Sequence, residues 1–155
     1  MGYVIFRPKE GPSLAGKDTG VTLTDYTGQT VRFGQFINGF SHKPLVVFFW
    51  ATWCPYCKAE FNDLASLKQQ YGDHVEVVAV DRGENRSDAK DFTDALPPLN
   101  GIITLIDADD ALFKKLGGFA VPETIFINGN GEEIARTRGP ITADQISASA
   151  KKILQ

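Results

Sequence analysis

The chain has 155 residues, 43% of them hydrophobic and 11% aromatic, enough for one domain with a single buried core. Its formal net charge of -3 provides no basic face for nucleic acid, and the sequence holds neither a run of like charge nor an apolar stretch of membrane-spanning length.

Residues 1–20 read as a leader to a domain at 21–155. Gly2-Tyr3-Val4-Ile5-Phe6 followed by Arg7, Pro8 and Lys9 is either the trailing edge of a signal or membrane anchor or an ordinary N-terminus, and Glu10 to Gly20 is rich in Gly, Ser and Lys. Val21 and Leu23 then alternate with threonines, Thr27-Gly28 supplies a turn, and Val31 and Phe33 alternate again, which predicts a hairpin. A short helical turn is expected at Gly34 to Asn38. Leu45 to Ala51 is a continuous apolar run of strand length, so it predicts a central strand buried on both faces.

Trp53-Cys54-Pro55-Tyr56-Cys57 follows directly and holds both cysteines of the chain. Half a zinc site is one reading, but four ligands are needed and His42 and His74 stand far apart and away from any such pattern. A structural staple is another, but closing a two-residue loop removes little entropy from the unfolded chain. A redox dithiol at the mouth of a buried strand remains. Pro55 suits the first position of a helix, and Phe61, Leu64, Ala65 and Tyr71 share roughly one face until Gly72 stops it. Cys54 is thereby placed at the N-cap and Cys57 in the first turn. Free backbone N–H groups there would stabilise a thiolate, making Cys54 the attacking group and Cys57 the resolving one.

Val75 to Val80 predicts a second buried strand, joined to the first by a right-handed crossover. Ser87 is a candidate cap for a helix reaching about Ala95, ended by Pro97-Pro98, and Ile102 to Ile106 is another strand. Asp109 to Leu116 predicts a short helix stopped by Gly117-Gly118. Thr124 to Ile127 and Glu133 to Thr137 form a hairpin around Asn128-Gly129-Asn130-Gly131. Thr142 and Gln145 form a capping box for a last helix carrying Ile146, Ala150, Ile153 and Leu154. The expected class is α/β, a central mixed sheet flanked by helices.

From about Val21 to Leu154 the chain resembles the TlpA/ResA-like thioredoxin-fold thiol–disulfide oxidoreductases, a family that includes the cytochrome c maturation reductants. The resemblance rests on Phe48-Phe49-Trp50-Ala51-Thr52-Trp53-Cys54-Pro55-Tyr56-Cys57, on Lys58-Ala59-Glu60-Phe61 and on Val121-Pro122-Glu123-Thr124-Ile125-Phe126-Ile127. It implies a thioredoxin-like fold with an N-terminal hairpin and a helix-and-strand insertion at about Gly83 to Ile106. It also implies a cis Pro122 beside the dithiol, turning the Val121 backbone toward an extended substrate segment; the alternative is a proline that merely starts an edge strand.

Thioredoxin carries a buried aspartate where Phe48 stands here. The family has instead a glutamate matched by Glu60, three residues after Cys57, which would exchange protons with that thiol; the alternative is a solvated helix glutamate. The resemblance thus implies Cys54, Cys57 and Glu60 as catalytic residues, with Trp53, Pro55, Tyr56, Val121, Pro122 and Glu123 at the substrate. It implies no cofactor and no metal. The partners it implies are a disulfide-containing protein substrate and a membrane-embedded thiol donor, with a monomeric protein acting outside the cytoplasm in the periplasm or cell envelope.

The family usually has proline immediately before its second cysteine, whereas here Pro55 comes first, as in glutaredoxins. Because the intervening pair tunes the redox potential, a disulfide oxidase or isomerase is the alternative to a reductase. A peroxiredoxin-type peroxidase fails on residues, since its P-x-x-x-T-x-x-C pattern would need Pro and Thr where Val47 and Ala51 stand. A copper chaperone of the Sco type would need wider cysteine spacing and a histidine near Pro122, where there is none.

Overall fold

The computed structural model describes residues 20–39 and 43–155, so the leader expected at 1–20 lies outside the described residues except for Gly20, as does His42. The predicted hairpin forms from β1 (Thr22–Thr24) and β2 (Thr30–Arg32), paired antiparallel. Asp25 closes its turn, its carboxylate accepting from the backbone N–H groups of Thr27 at 2.8 Å and Gln29 at 3.0 Å. Helix α1 (Phe33–Gly39) follows.

Strand β3 (Leu45–Trp50) runs parallel to β4 (Glu76–Arg82), which runs parallel to β5 (Ile103–Asp107). On the other side β3 pairs antiparallel with β6 (Glu123–Ile127), and β6 with β7 (Glu133–Arg138). The sheet order is β2-β1-β5-β4-β3-β6-β7, so β3 has two strands or more on either side. All six of its residues are buried, as a run apolar on both faces requires. Val46, Phe48 and Trp50 face one core with α2 (Cys57–Tyr71) and α5 (Ala143–Ile153). Leu45, Val47 and Phe49 face a second core with Phe33 and with Leu112 and Phe113 of α4 (Ala111–Lys115).

Phe61 locks α2 onto the sheet. Its ring meets Phe48 and Trp50 edge-to-face, with centroids 5.0 and 4.9 Å away. Truncating such a buried ring costs about 3–5 kcal/mol, and here it would loosen the helix that carries Cys57. The helix stops at Gly72, whose φ of 52° suits glycine, and the Lys68 ammonium donates to the Gly72 and Val75 carbonyls at 3.0 and 2.8 Å.

Two helix starts differ from the sequence reading. α2 begins at Cys57 with Tyr56 as its N-cap, not at Cys54, because the Cys57 N–H reaches the Cys54 carbonyl and closes a turn ahead of the helix. Helix α3 (Arg86–Asp94) is capped by Asn85, whose side chain accepts from the Ser87 N–H at 2.9 Å; Ser87 is the second helical residue rather than the cap. The capping box of Thr142 and Gln145 forms as read from the sequence.

Candidate active site

Strand β3 delivers the chain to the site, and the sheet edge above it supplies the surroundings. After Trp50 the backbone turns, the Cys54 N–H donating to the Ala51 carbonyl at 3.1 Å. Cys54 and Cys57 are joined as a disulfide with their Cα atoms 5.5 Å apart. Cys57 is fully buried and Cys54 retains 4% exposure, so the N-terminal sulfur is the one nearer solvent. The aromatic side chains around it are open: Trp53 is 68% and Tyr56 57% exposed. Pro55 is exposed as well.

The β3–β6 register sets the other wall. Phe49 pairs with Glu123 and Phe48 with Thr124, which brings Pro122 level with the end of β3, where the cysteine loop departs. The Val121–Pro122 peptide is cis; Val121 is half-buried and Pro122 buried.

Glu60 is 2% exposed. One carboxyl oxygen accepts a hydrogen bond from the Thr124 hydroxyl, and no donor among the described residues reaches the other. Burial pushes the carboxyl up to about 7, the Thr124 hydrogen bond pulls it partway back, and the Asp63 charge adds to the rise. Since Thr124 stands across the ladder from Phe48, the Glu60 carboxyl is delivered from the helix into the layer of that strand position.

Glu123 does not reach the surface. It is fully buried, its carboxylate accepting from Arg138 at 2.8 Å, from Arg136 at 3.3 Å and from the Phe119 N–H at 3.0 Å. It braces the segment leading into Pro122, with its carboxylate closed to solvent. Phe119, whose backbone N–H is held by Glu123, has its own side chain 82% exposed, and the sequence reading assigns it no role.

Thr52 was also passed over. Its N–H and hydroxyl both donate to Glu84, at 2.6 and 2.5 Å, so the loop ahead of Cys54 is held by a carboxylate from the end of β4. No sequence signal marks this pair, because the two residues are 32 apart. Among the described residues no cluster of His, Cys, Asp or Glu could hold a metal ion.

The thioredoxin-like domain family model matches residues 39–154, a span that includes the dithiol, Glu60 and the Pro122 segment. The thiol:disulfide interchange protein HelX of Rhodobacter capsulatus is 34% identical over 148 residues, covering 92% of this chain and 78% of HelX. The thiol:disulfide interchange protein DsbE of Tatumella citrea is 35% identical over 117 residues, 76% of this chain, and the match spans only 60% of that relative's length. In three dimensions the chain superposes on a secreted disulfide oxidoreductase of Mycobacterium tuberculosis with a TM-score of 0.75 at 21% identity, covering 89% of this chain and 99% of the other. With its buried Cys54–Cys57 disulfide, a cis Val121–Pro122 peptide and these matches along most of its length, the chain belongs to the thioredoxin-like family, in the branch of thiol–disulfide oxidoreductases.

Proposed function

We propose that this domain reduces protein disulfides outside the cytoplasm, in the manner of the thiol:disulfide interchange proteins it is similar to, with cytochrome c maturation, which the family resemblance implies, as its setting. The observation that carries the reading is the combination of a nearly buried Cys54–Cys57 pair with a protonatable Glu60 behind it. In the reduced protein the Cys54 thiolate attacks one sulfur of a substrate disulfide; an S–S bond forms to Cys54 and the other substrate sulfur leaves as a thiolate. Cys57 then attacks the Cys54 sulfur, releasing the second substrate thiolate and closing the Cys54–Cys57 disulfide. Two electrons pass to the substrate. Glu60 takes the proton that Cys57 gives up as it becomes the attacking thiolate, a role suited to a carboxyl that titrates near neutrality.

The open faces of Trp53, Tyr56 and Phe119 would receive apolar side chains flanking the substrate cysteine, and the Val121 backbone would pair with its extended segment. A membrane-embedded thiol donor would return the pair to the dithiol. No helix among the described residues is long and apolar enough to cross a membrane.

The test is capture. Cys57→Ser leaves the second step undone, so substrates should accumulate as reducible adducts on Cys54 in native envelope extracts, and mass spectrometry would identify them. Adducts on no protein, with only small thiols attached, would refute a protein substrate.

A further inference from the structure

The Thr52 clamp ends in a second carboxyl. Asp81, the last but one residue of β4, is fully buried, and no donor among the described residues reaches its Oδ2. Its Oδ1 accepts from the Glu84 N–H at 2.9 Å, which holds the two residues together, and the Glu84 carboxyl raises Asp81 both by hydrogen bonding and by its charge. Two ionised carboxylates cannot share such a position, one of them out of contact with water, because neither repulsion nor desolvation is offset. A single proton between them removes both costs: the protonated carboxyl donates to the other, whose remaining lone pairs accept from Thr52. We propose that Asp81 and Glu84 hold one proton between them and act as positioning residues for the dithiol, clamping the Thr52–Trp53 turn so that the Cys54 sulfur is presented to an incoming thiolate.

The charges are divided unequally. Burial first, then the Glu84 carboxyl, pushes Asp81 up to about 8, while Glu84 is lowered by its hydrogen bonds to Asp81 and Thr52 in spite of its partial burial. At neutral pH the pair therefore keeps its one proton, drawn toward Asp81, because the two Thr52 donors favour negative charge on Glu84. The other titratable and charged groups facing Asp81 are few. Asp110 adds to its rise and is itself paired with Arg82 at 2.7 Å, and the Tyr26 hydroxyl of the hairpin turn senses the Asp81 charge. When Asp81 ionises, two negative charges confront each other, Glu84 is driven off Thr52, and the added charge repels a thiolate approaching Cys54.

The inference deepens the redox reading above, but its test uses no protein substrate, so the two can fail separately. In the oxidised protein neither cysteine titrates, which leaves the carboxyls to be followed alone. The Thr52 amide proton should titrate with a midpoint near 8 in nitrogen-15 correlated spectra, and Asp81→Asn, which can still donate to Glu84, should abolish the step. In parallel, the rate constant for reduction by dithiothreitol, divided by its thiolate concentration, should fall severalfold through the same midpoint. Asp81→Asn should make that profile flat. Carrying both measurements in a Glu60→Gln background removes the other carboxyl that titrates nearby.

Thr52→Val keeps both carboxyls but deletes the hydroxyl hydrogen bond, and it serves if Asp81→Asn does not fold. It should shrink the step in the reduction rate while the Glu84 carboxyl signal still titrates. A Thr52 amide with no step near 8, a step that survives Asp81→Asn, or a Thr52→Val rate profile identical to that of the wild type would each overturn the proposal.

Discussion

Glu60→Gln offers the most informative perturbation, because the burial of the carboxyl sets the sign of its effect. The folded protein holds this carboxyl at about 7 against an ordinary value of 4.5. At 1.36 kcal/mol per pK unit that difference is worth about 3 kcal/mol. Below pH 4.5 the group is protonated both folded and unfolded, and its contribution to stability is fully present. Between 4.5 and 7 the unfolded chain releases the proton while the folded chain keeps it, so that contribution is lost as pH rises and has gone above 7. A glutamine carries no charge at any pH and can still accept from Thr124. Its amide N–H groups find no acceptor in place of the unpaired oxygen, a cost of about 1–3 kcal/mol that is the same at every pH. The stability difference between Glu60→Gln and the wild type should therefore swing by about 3 kcal/mol in favour of the variant from pH 4 to pH 8. Urea denaturation of both oxidised proteins measures it, and the Asp81 titration, common to the two, subtracts out. A difference that does not change with pH would refute the buried, protonated Glu60. In turnover the same variant should resolve mixed disulfides roughly 10²-fold more slowly.

Thr124→Val removes the hydrogen bond that, among the described residues, favours the ionised Glu60, so the carboxyl should titrate above its wild-type midpoint by carbon-13 NMR; a lower midpoint would show that the hydroxyl is not its partner. Glu123→Ala should cost about 2 kcal/mol in chemical denaturation, since the Phe119 N–H and two arginines lose a buried acceptor although Arg136 retains Glu133 at 2.7 Å. It should also raise KM for a protein disulfide by loosening the segment before Pro122, whereas an unchanged KM would show that Glu123 does not brace that segment.

What the sequence disclosed and what it hid follow from the range of the interactions involved. Leu45 to Trp50 was legible as a central strand because six consecutive buried apolar residues admit few other placements, and the cysteines could be located from it. The capping box was legible because both partners lie within one turn. The start of α2 was not, since Pro55 fits a first helical turn as well as the preceding loop, and only the Cys57-to-Cys54 hydrogen bond decides between them. Asn85 and Ser87 are both good caps, and the choice is made by the chain's exit from β4. Glu123 illustrates a signal that was present but unused: in the β6–β7 hairpin it stands opposite Arg138, so its partner could have been read from the register. Asp81 and Glu84 lie at a strand end among ordinary polar residues, and nothing short of the fold brings them under Thr52.

The central claim is that the Cys54–Cys57 pair gives electrons to protein disulfides. Equilibrating the protein with glutathione or dithiothreitol buffers and quantifying the disulfide gives its reduction potential directly. A reductase requires a value close to that of thioredoxin, roughly −270 mV, and this is the result the account predicts. A value near roughly −120 mV, that of a strong oxidant whose reduced form is the stable one, would contradict it and assign the same residues to disulfide formation.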